Sequence, residues 1–179
     1  MHRARSGFQL GDFNVVFNTM RTLKPVLDRF EPDRVIFTLE GHPQWRYDRL
    51  PTYKANRHVV VKAGEVLSEK AEKKLRSDED FFRQRDVIVG LLGRHFPLSL
   101  MRHPDHEADD LIFNVVSNAA ASSQFVIVST DTDFIQMLQD FPNVRLFNPI
   151  TKDFVTAPEY DYVQWKALRG DGSDNIKGI

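Results

Sequence analysis

Eight carboxylates stand where the chain is expected to change direction: Glu40, Glu107, Asp109, Asp110, Asp131, Asp133, Asp171 and Asp174. The first close group, HEADD, places Glu107, Asp109 and Asp110 within four positions; DTD carries Asp131 and Asp133; GDGSDN carries Asp171 and Asp174. Carboxylates crowded together raise one another's pKa and resist ionising unless something positive enters. Hard oxygen donors without Cys or His select Mg2+ or Mn2+ over zinc. Two such ions, roughly 4 Å apart, activate water and stabilise the leaving oxygen in phosphodiester cleavage. Each group also has a purely structural reading. Acids in a first helical turn offset the helix dipole, Asp131 and Asp133 are plausible turn formers, and Asp171-Gly172 is an ordinary turn signal. Chemistry is implied by the combination and its order.

A second cluster has the opposite sign. Between Gly41 and Lys62, five Lys/Arg accompany a single acid, Asp48. Within WRYDRLPTYKANR (45–57), Arg46, Arg49, Lys54 and Arg57 alternate with aromatic residues. Cations meet phosphates while an aromatic such as Tyr53 stacks on a base, a pairing suited to a single strand or an unpaired end. The alternative is a solvated loop with incidental aromatics. His42, His58, His103 and His106 fall at no metal-ligand spacing and read as surface or turn residues.

The whole-chain numbers bound these readings. At 179 residues, 41% hydrophobic and 27% charged, the chain suits one ordinary globular domain. Its net charge of −1 does not by itself announce a polyanionic partner, but its charges are segregated into a cationic segment and an anionic set. Without cysteine, disulfides and thiolate zinc sites are excluded, which fits a reducing cytoplasm. No apolar stretch approaches the ~20 residues of a membrane span, so no membrane partner is expected.

The elements that would position the acids follow from periodicity. A helix is expected over 12–30, a buried strand over Arg34 to Leu39, a lysine-rich helix over 63–76 and a more apolar one over 79–95. A strand at 97–101 precedes a helix from Glu107 to Ala121 with Asp105 as its cap. FVIVS (125–129) is the clearest strand, followed by a short helix at 134–139 and a strand at 144–147. Thr156 with Glu159 forms a capping box for a helix running to about Leu168. Strands alternating with helices predict an α/β fold with a mostly parallel sheet covered on both faces. In such sheets the carboxyl ends of the strands form the ligand crevice, where these acids would gather.

Taken in order, YKANR (53–57), HEADD (106–110), STDTDFIQ (129–136) and GDGSDNIKGI (170–179) resemble the 5′-nuclease superfamily. That group includes flap endonucleases, the 5′-nuclease domain of bacterial DNA polymerase I, and phage 5′–3′ exonucleases and ribonuclease H enzymes. The resemblance implies a PIN-like α/β fold, with a catalytic domain over 1–168, a helical arch at about 58–86, and the start of a helix–turn–helix duplex-binding element at 169–179. It implies two Mg2+ ions (Mn2+ substituting) held by Glu107, Asp109, Asp110, Asp131, Asp133, Asp171 and Asp174, with K+ at the helix–turn–helix element. Lys54 and Arg57 would act on the scissile phosphate, Tyr53 would stack on the terminal base, and Arg46, Gly172, Ser173 and Asn175 would contact nucleic acid. The partner implied is DNA with a 5′ end or flap, or an RNA–DNA hybrid, bound by a monomer.

Two departures qualify the carry-over. Glu40, in LEG, stands where the family has Asp in FDG, and Glu reaches farther. The family's opening strand ends in a ligand Asp, whereas here Arg3-Ala4 resembles the residues just beyond it; the expectation is a fragment lacking one ligand, weakly active or inactive. A haloacid-dehalogenase-type phosphatase shares DTD and GDGSDN, but its GDG follows a buried strand, whereas YVQWKALR reads as helix. A PIN-type ribonuclease needs neither YKANR nor GDGSDN. A non-catalytic, structure-specific DNA-binding module is the third alternative.

Overall fold

The computed structural model describes residues 11–57 and 68–179. The chain divides into two compact units, one of Met1–Phe37 with Arg57–Leu100 and one of Thr38–Asn56 with Met101–Ile179.

The first unit is built on two helices, α1 (Asn14–Phe30) and α3 (Glu69–His95). Their apolar residues recur at helical spacing, and Val15, Phe81, Ile88 and Leu92 form the buried core, flanked by Met20, Leu23 and Leu100. Each fully buried aliphatic side chain contributes roughly 1.5–3 kcal/mol before entropic losses. Separate helices were expected over 63–76 and 79–95, but α3 is one helix of 27 residues. Ser77 and Asp78 at the anticipated break are weak helix formers rather than breakers, and no proline interrupts the run. Ser68 caps it by accepting from the Ala71 amide at 3.3 Å. Residues 58–67, which hold the first part of the expected arch and His58, lie outside the described residues, as does Arg3-Ala4.

The start of α1 has an unusual cap. Phe13 occupies the N-cap and offers no side-chain acceptor. Gln84 of α3, fully buried, supplies one instead: its Oε1 accepts from the Val15 amide at 2.8 Å and the Val16 amide at 3.3 Å. Its Nε2 in turn donates to Asn14 Oδ1 at 3.1 Å and Asp80 Oδ2 at 2.7 Å.

In the second unit β3 (Phe125–Val128) pairs in parallel with β4 (Val144–Asn148), and β4 pairs antiparallel with β5 (Asp153–Val155). The helices α4 (Ala108–Ser117) and α5 (Ile135–Asp140) bury Val116 and Met137 against Ile127, Val144 and Leu146. Residues 36–39 (β1) and 99–102 (β2) form a separate two-stranded sheet. The α/β class expected from the sequence is observed, with three departures. Strand β5 was unforeseen, because three residues after a turn carry no periodic signal. The two faces of β3 are not both covered: Ile127 is buried, but Val126 and Val128 are 39% and 41% exposed. Strand β1 is half-buried along its length rather than buried.

Two cap assignments also change. Helix α4 spans 108–117, and its N-cap is Glu107 rather than Asp105. The expected Thr156 helix begins only at Tyr162 as α6 (Tyr162–Arg169), where Asp161 accepts from the Gln164 amide at 2.9 Å. Pro158 and the short polar run after it delay the helix until that acceptor is available. Residues 170–177, expected to open a helix–turn–helix element, are a tight hairpin in which β6 (Gly170–Asp171) faces β7 (Ile176–Lys177). Gly170 has φ +75°, and a Cβ there would lie 2.2 Å from the Gly178 amide nitrogen, so the hairpin requires glycine at its base.

Replacing Gln84 with Ala strands two amides at the start of α1 and should cost about 1–3 kcal/mol. The measurement is urea denaturation; a loss well below this range would show that water recaps α1 readily.

Candidate functional site

All eight carboxylates lie in the second unit. Gly41 brings the end of β1 against loop 103–106: its amide donates to His106 O at 2.9 Å, and the His42 amide donates to Pro104 O at 2.6 Å. A Cβ at Gly41 would lie 2.0 Å from His103 O, so only glycine permits this approach. Glu40 thereby reaches the start of α4, where its Oε2 accepts from the Ala108 amide at 3.1 Å.

Glu107 is the hub. It is 6% exposed and accepts from Tyr53 Oη at 2.8 Å, from Lys54 Nζ at 2.6 Å, and from Arg46 Nη1. Arg46 also donates through Nη2 to Asp110 Oδ1 at 2.6 Å, while Asp110 Oδ2 accepts from the Glu107 amide at 2.9 Å, closing a capping box. Lys54 continues to Asp174 at 3.7 Å. Asp171 Oδ1 accepts from the Asp174 amide at 3.3 Å, and Asp171 Oδ2 lies 2.9 Å from Lys166, which also pairs with Asp133. The Asp133 amide then donates to Asp131 Oδ1 at 3.0 Å. Asp131, Glu40 and Glu107 are all near enough to Asp109 to act on its charge. Six of the acids, Glu107, Asp110, Asp131, Asp133, Asp171 and Asp174, are thus linked by hydrogen bonds and ion pairs through Arg46, Lys54 and Lys166, while Glu40 caps the Ala108 amide beside Asp109.

The electrostatics divide these acids. Burial, reinforced by Glu40, Asp131 and Glu107, pushes the Asp109 carboxyl up to about 7. Burial would also raise Glu107, but hydrogen bonds from Lys54 and Tyr53 outweigh it and hold Glu107 below the usual carboxylate range. Asp171 is likewise lowered against its burial by Lys166 and Ser173. Burial pushes the Tyr53 phenol up to about 12. Lys54 is raised despite desolvation, chiefly by its bond to Glu107.

Several expected contacts take a different form. Tyr53 is 7% exposed, its hydroxyl committed to Glu107, so its ring is packed inside rather than offered to a base. Gly172 O accepts from Asn56 Nδ2 at 3.2 Å, Asn175 Nδ2 donates to Thr52 O at 2.8 Å, and the Lys54 amide donates to Asp174 O at 2.9 Å. These bonds dock segment 52–56 on the hairpin and hold Lys54 and Asn175 at φ +52° and +58°. Ser173 bonds Asp171 Oδ1 through both its amide at 2.8 Å and its hydroxyl at 2.7 Å. Gly172, Ser173 and Asn175 therefore serve the site's internal scaffold. Arg57 belongs to the first unit, where its carbonyl accepts from Lys74 at 2.8 Å. Sequence reasoning passed over Lys166 entirely; its one signal is a cation in the last turn of a helix that runs directly into GDGSDN.

Among the described residues, no three His, Asp or Glu side chains converge as they stand to hold a metal ion. The donor set nevertheless fits a hard divalent cation, because it is all oxygen.

Residues 3–166 match the 5′–3′ exonuclease N-terminal resolvase-like domain. The chain belongs to this family. It lies within the 5′-nuclease superfamily, as the ordered motifs implied. Among curated relatives, flap endonuclease Xni of Aliivibrio salmonicida is 30% identical over 92% of this chain and 62% of its own length. A 5′-3′ exonuclease of Mycoplasmopsis pulmonis is 23% identical over 93% of this chain and 53% of its own. The chain thus spans little more than half the length of these relatives. The bacteriophage T5 flap endonuclease, solved with DNA and metal ions, superposes with a TM-score of 0.69 at 24% identity, over 89% of this chain and 59% of that one. The T5 5′-exonuclease with bound zinc gives the same score and identity over 60% of its chain. These two establish the fold. The phosphatase alternative also requires GDG after a buried strand, whereas Gly170 follows α6 directly.

Asp109 gives a pH signature. Its folded pKa of about 7 exceeds the ~3.9 of an unfolded Asp, so between those values the folded state keeps a proton the unfolded state has lost. Stability from this group is complete below pH ~4 and falls as pH rises through about 7. In EDTA, Asp109→Asn should raise the melting midpoint by about 3–8 °C at pH 8, with the gain vanishing near pH 4. A gain independent of pH would mean that Asp109 is not the strained acid.

Proposed function

We propose that this chain is the catalytic part of a structure-specific 5′ nuclease, a 5′–3′ exonuclease or flap endonuclease that hydrolyses phosphodiesters near a 5′ end. The observation that carries this reading is the set of six carboxylates linked through Arg46, Lys54 and Lys166, in a chain of the 5′–3′ exonuclease family. DNA with a free 5′ end or flap is the substrate class, and an RNA–DNA hybrid fits the same phosphate chemistry. The protein acts as a monomer in the cytoplasm during DNA replication or repair.

Glu40, Glu107, Asp109, Asp110, Asp131, Asp133, Asp171 and Asp174 are the residues that would hold divalent cations, Mg2+ or Mn2+. When bound, such ions supply an activated water and stabilise the departing oxygen. Everything else falls to the chain itself. Lys54, half-buried between Glu107 and Asp174, offers a fixed ammonium to a phosphate oxygen beside the acids. Arg46 carries the planar fork that suits bidentate phosphate recognition, and is already oriented by Glu107 and Asp110. Arg57 is a further phosphate contact. Lys166 sets the spacing of Asp133 and Asp171. Tyr53 holds Glu107 rather than touching the substrate. The turn at Gly172, Ser173 and Asn175 approaches the duplex, with K+ as a candidate ion there.

The test uses a 5′-labelled flap duplex. Cleavage near the 5′ end should require Mg2+ or Mn2+, stop with EDTA, and fall at least about 100-fold in Asp131→Ala/Asp133→Ala. Mn2+ should raise the thermal midpoint of the parent chain and not of this variant, a readout that needs no turnover. Undiminished cleavage by the double variant would remove these acids from the mechanism. Lys54→Ala should depress the cleavage rate more than DNA affinity; equal losses would reduce Lys54 to a plain phosphate contact.

A further inference from the structure

The burial of Tyr53 leaves the basic segment without its expected base-stacking ring, and the same segment presents another. We propose that Trp45 is the stacking platform for an unpaired nucleobase at a strand end; this rests on the nuclease reading above. Trp45 lies in the first turn of α2 (Gln44–Arg49) and is 49% exposed. Isolated exposed aromatics are common and by themselves mean little. Trp45 differs in being fixed on two sides. Its indole Nε1 donates to Asp105 O at 3.3 Å, which pins one edge. The Arg46 guanidinium stands 5.1 Å from its ring centroid, and that guanidinium is itself held by Glu107 and Asp110. A ring so anchored loses little freedom when something stacks on it.

Its position gives the stack a purpose. Asp105 lies in the loop between His103 and His106, and those two residues line a cavity of about 500 Å³ together with Asp109, Asp110 and Asp133. Trp45 is therefore tied by one hydrogen bond to the loop whose His103 and His106 line that cavity. Its surroundings specify the ligand class. Gln44, Asp48 and Arg49 beside it on α2 are polar and exposed, so the patch lacks the apolar continuity a protein partner would need. An aromatic face among cations matches a base and its phosphate.

The chain has two tryptophans, so Trp165→Phe leaves Trp45 as the sole reporter. The probe is a duplex carrying a single-stranded 5′ flap with 2-aminopurine as its terminal base, compared with a blunt duplex, both in EDTA. In the Trp165→Phe protein, flap DNA should quench Trp45 emission. In the full chain, Trp45→Ala should weaken flap binding about 5–100-fold while leaving blunt-duplex binding within twofold. Trp45→Phe, which keeps a ring but loses the edge anchor, should recover most of the affinity, and circular dichroism checks that each variant folds. Equal flap affinity in Trp45→Ala and the parent, or equal loss on both DNAs, overturns the stacking role and leaves the nuclease reading intact. A parent chain that neither binds nor cleaves flap DNA overturns both.

Discussion

The second unit is organised around one electrostatic problem: acids from four separate stretches of chain are drawn together, and the folded state must compensate them. Glu107 shows how. Its burial alone would push it towards protonation, yet a phenol, an ammonium and a guanidinium converge on its two oxygens and keep it ionised. The cations of the site each serve two carboxylates, which helps to offset the cost of burying them. Arg46 also holds Asp110, Lys54 also meets Asp174, and Lys166 joins Asp133 to Asp171. Removing any one cation leaves two carboxylates short, so the local structure is cooperative in a way no list of pairs conveys.

Backbone geometry serves the same end. Gly41 allows the end of β1 to touch the carbonyls of loop 103–106, which sets Glu40 against the first turn of α4. Lys54 adopts a left-handed conformation that costs a non-glycine residue of order 1 kcal/mol, and its amide bond to Asp174 O is part of what holds it there. The hairpin at 170–177 turns two aspartates inward by letting Ser173 and the Asp174 amide satisfy Asp171. Crowded charge collects in this one region, while the cores formed by Ile88 and Leu92 in one unit and Leu146 and Met137 in the other are ordinary apolar packing.

What the sequence disclosed follows from this division. Helix α1, strands β3 and β4, and the acids at element ends were legible because periodicity and charge clustering are local signals. The single helix over 69–95 was split because two weak helix formers in a row look like a boundary until packing through Phe81 and Ile88 joins the halves. Asp105 and Thr156 were plausible caps by residue type, but a cap depends on where the chain enters, and Glu107 and Asp161 hold that geometry. The roles of Gln84, Lys166 and Tyr53 depend on partners 69, 33 and 54 residues away, and no local pattern encodes such pairings. Tyr53 is the instructive error: an aromatic among cations reads as a stacking surface, whereas its hydroxyl was needed by a buried carboxylate.

Charge arithmetic then constrains how such a site can meet DNA. Among the described residues, eight carboxylates are accompanied by three side-chain cations, Arg46, Lys54 and Lys166, which leaves five negative charges in this set if every acid is ionised. Asp109, pushed up by burial and by its neighbouring acids, relieves part of one charge near neutral pH. A phosphodiester seated among the acids themselves, as distinct from a strand end held at the exposed rim, would be repelled, because three cations already committed to carboxylates cannot neutralise it as well. Additional positive charge must come with the substrate or before it, and it must be compact, divalent and oxygen-seeking to fit an all-carboxylate surface. With the acids otherwise satisfied, Lys54 and Arg46 would be available for the phosphate contacts proposed above. The ion pairs seen here and the phosphate contacts proposed for catalysis are therefore alternative uses of the same two side chains.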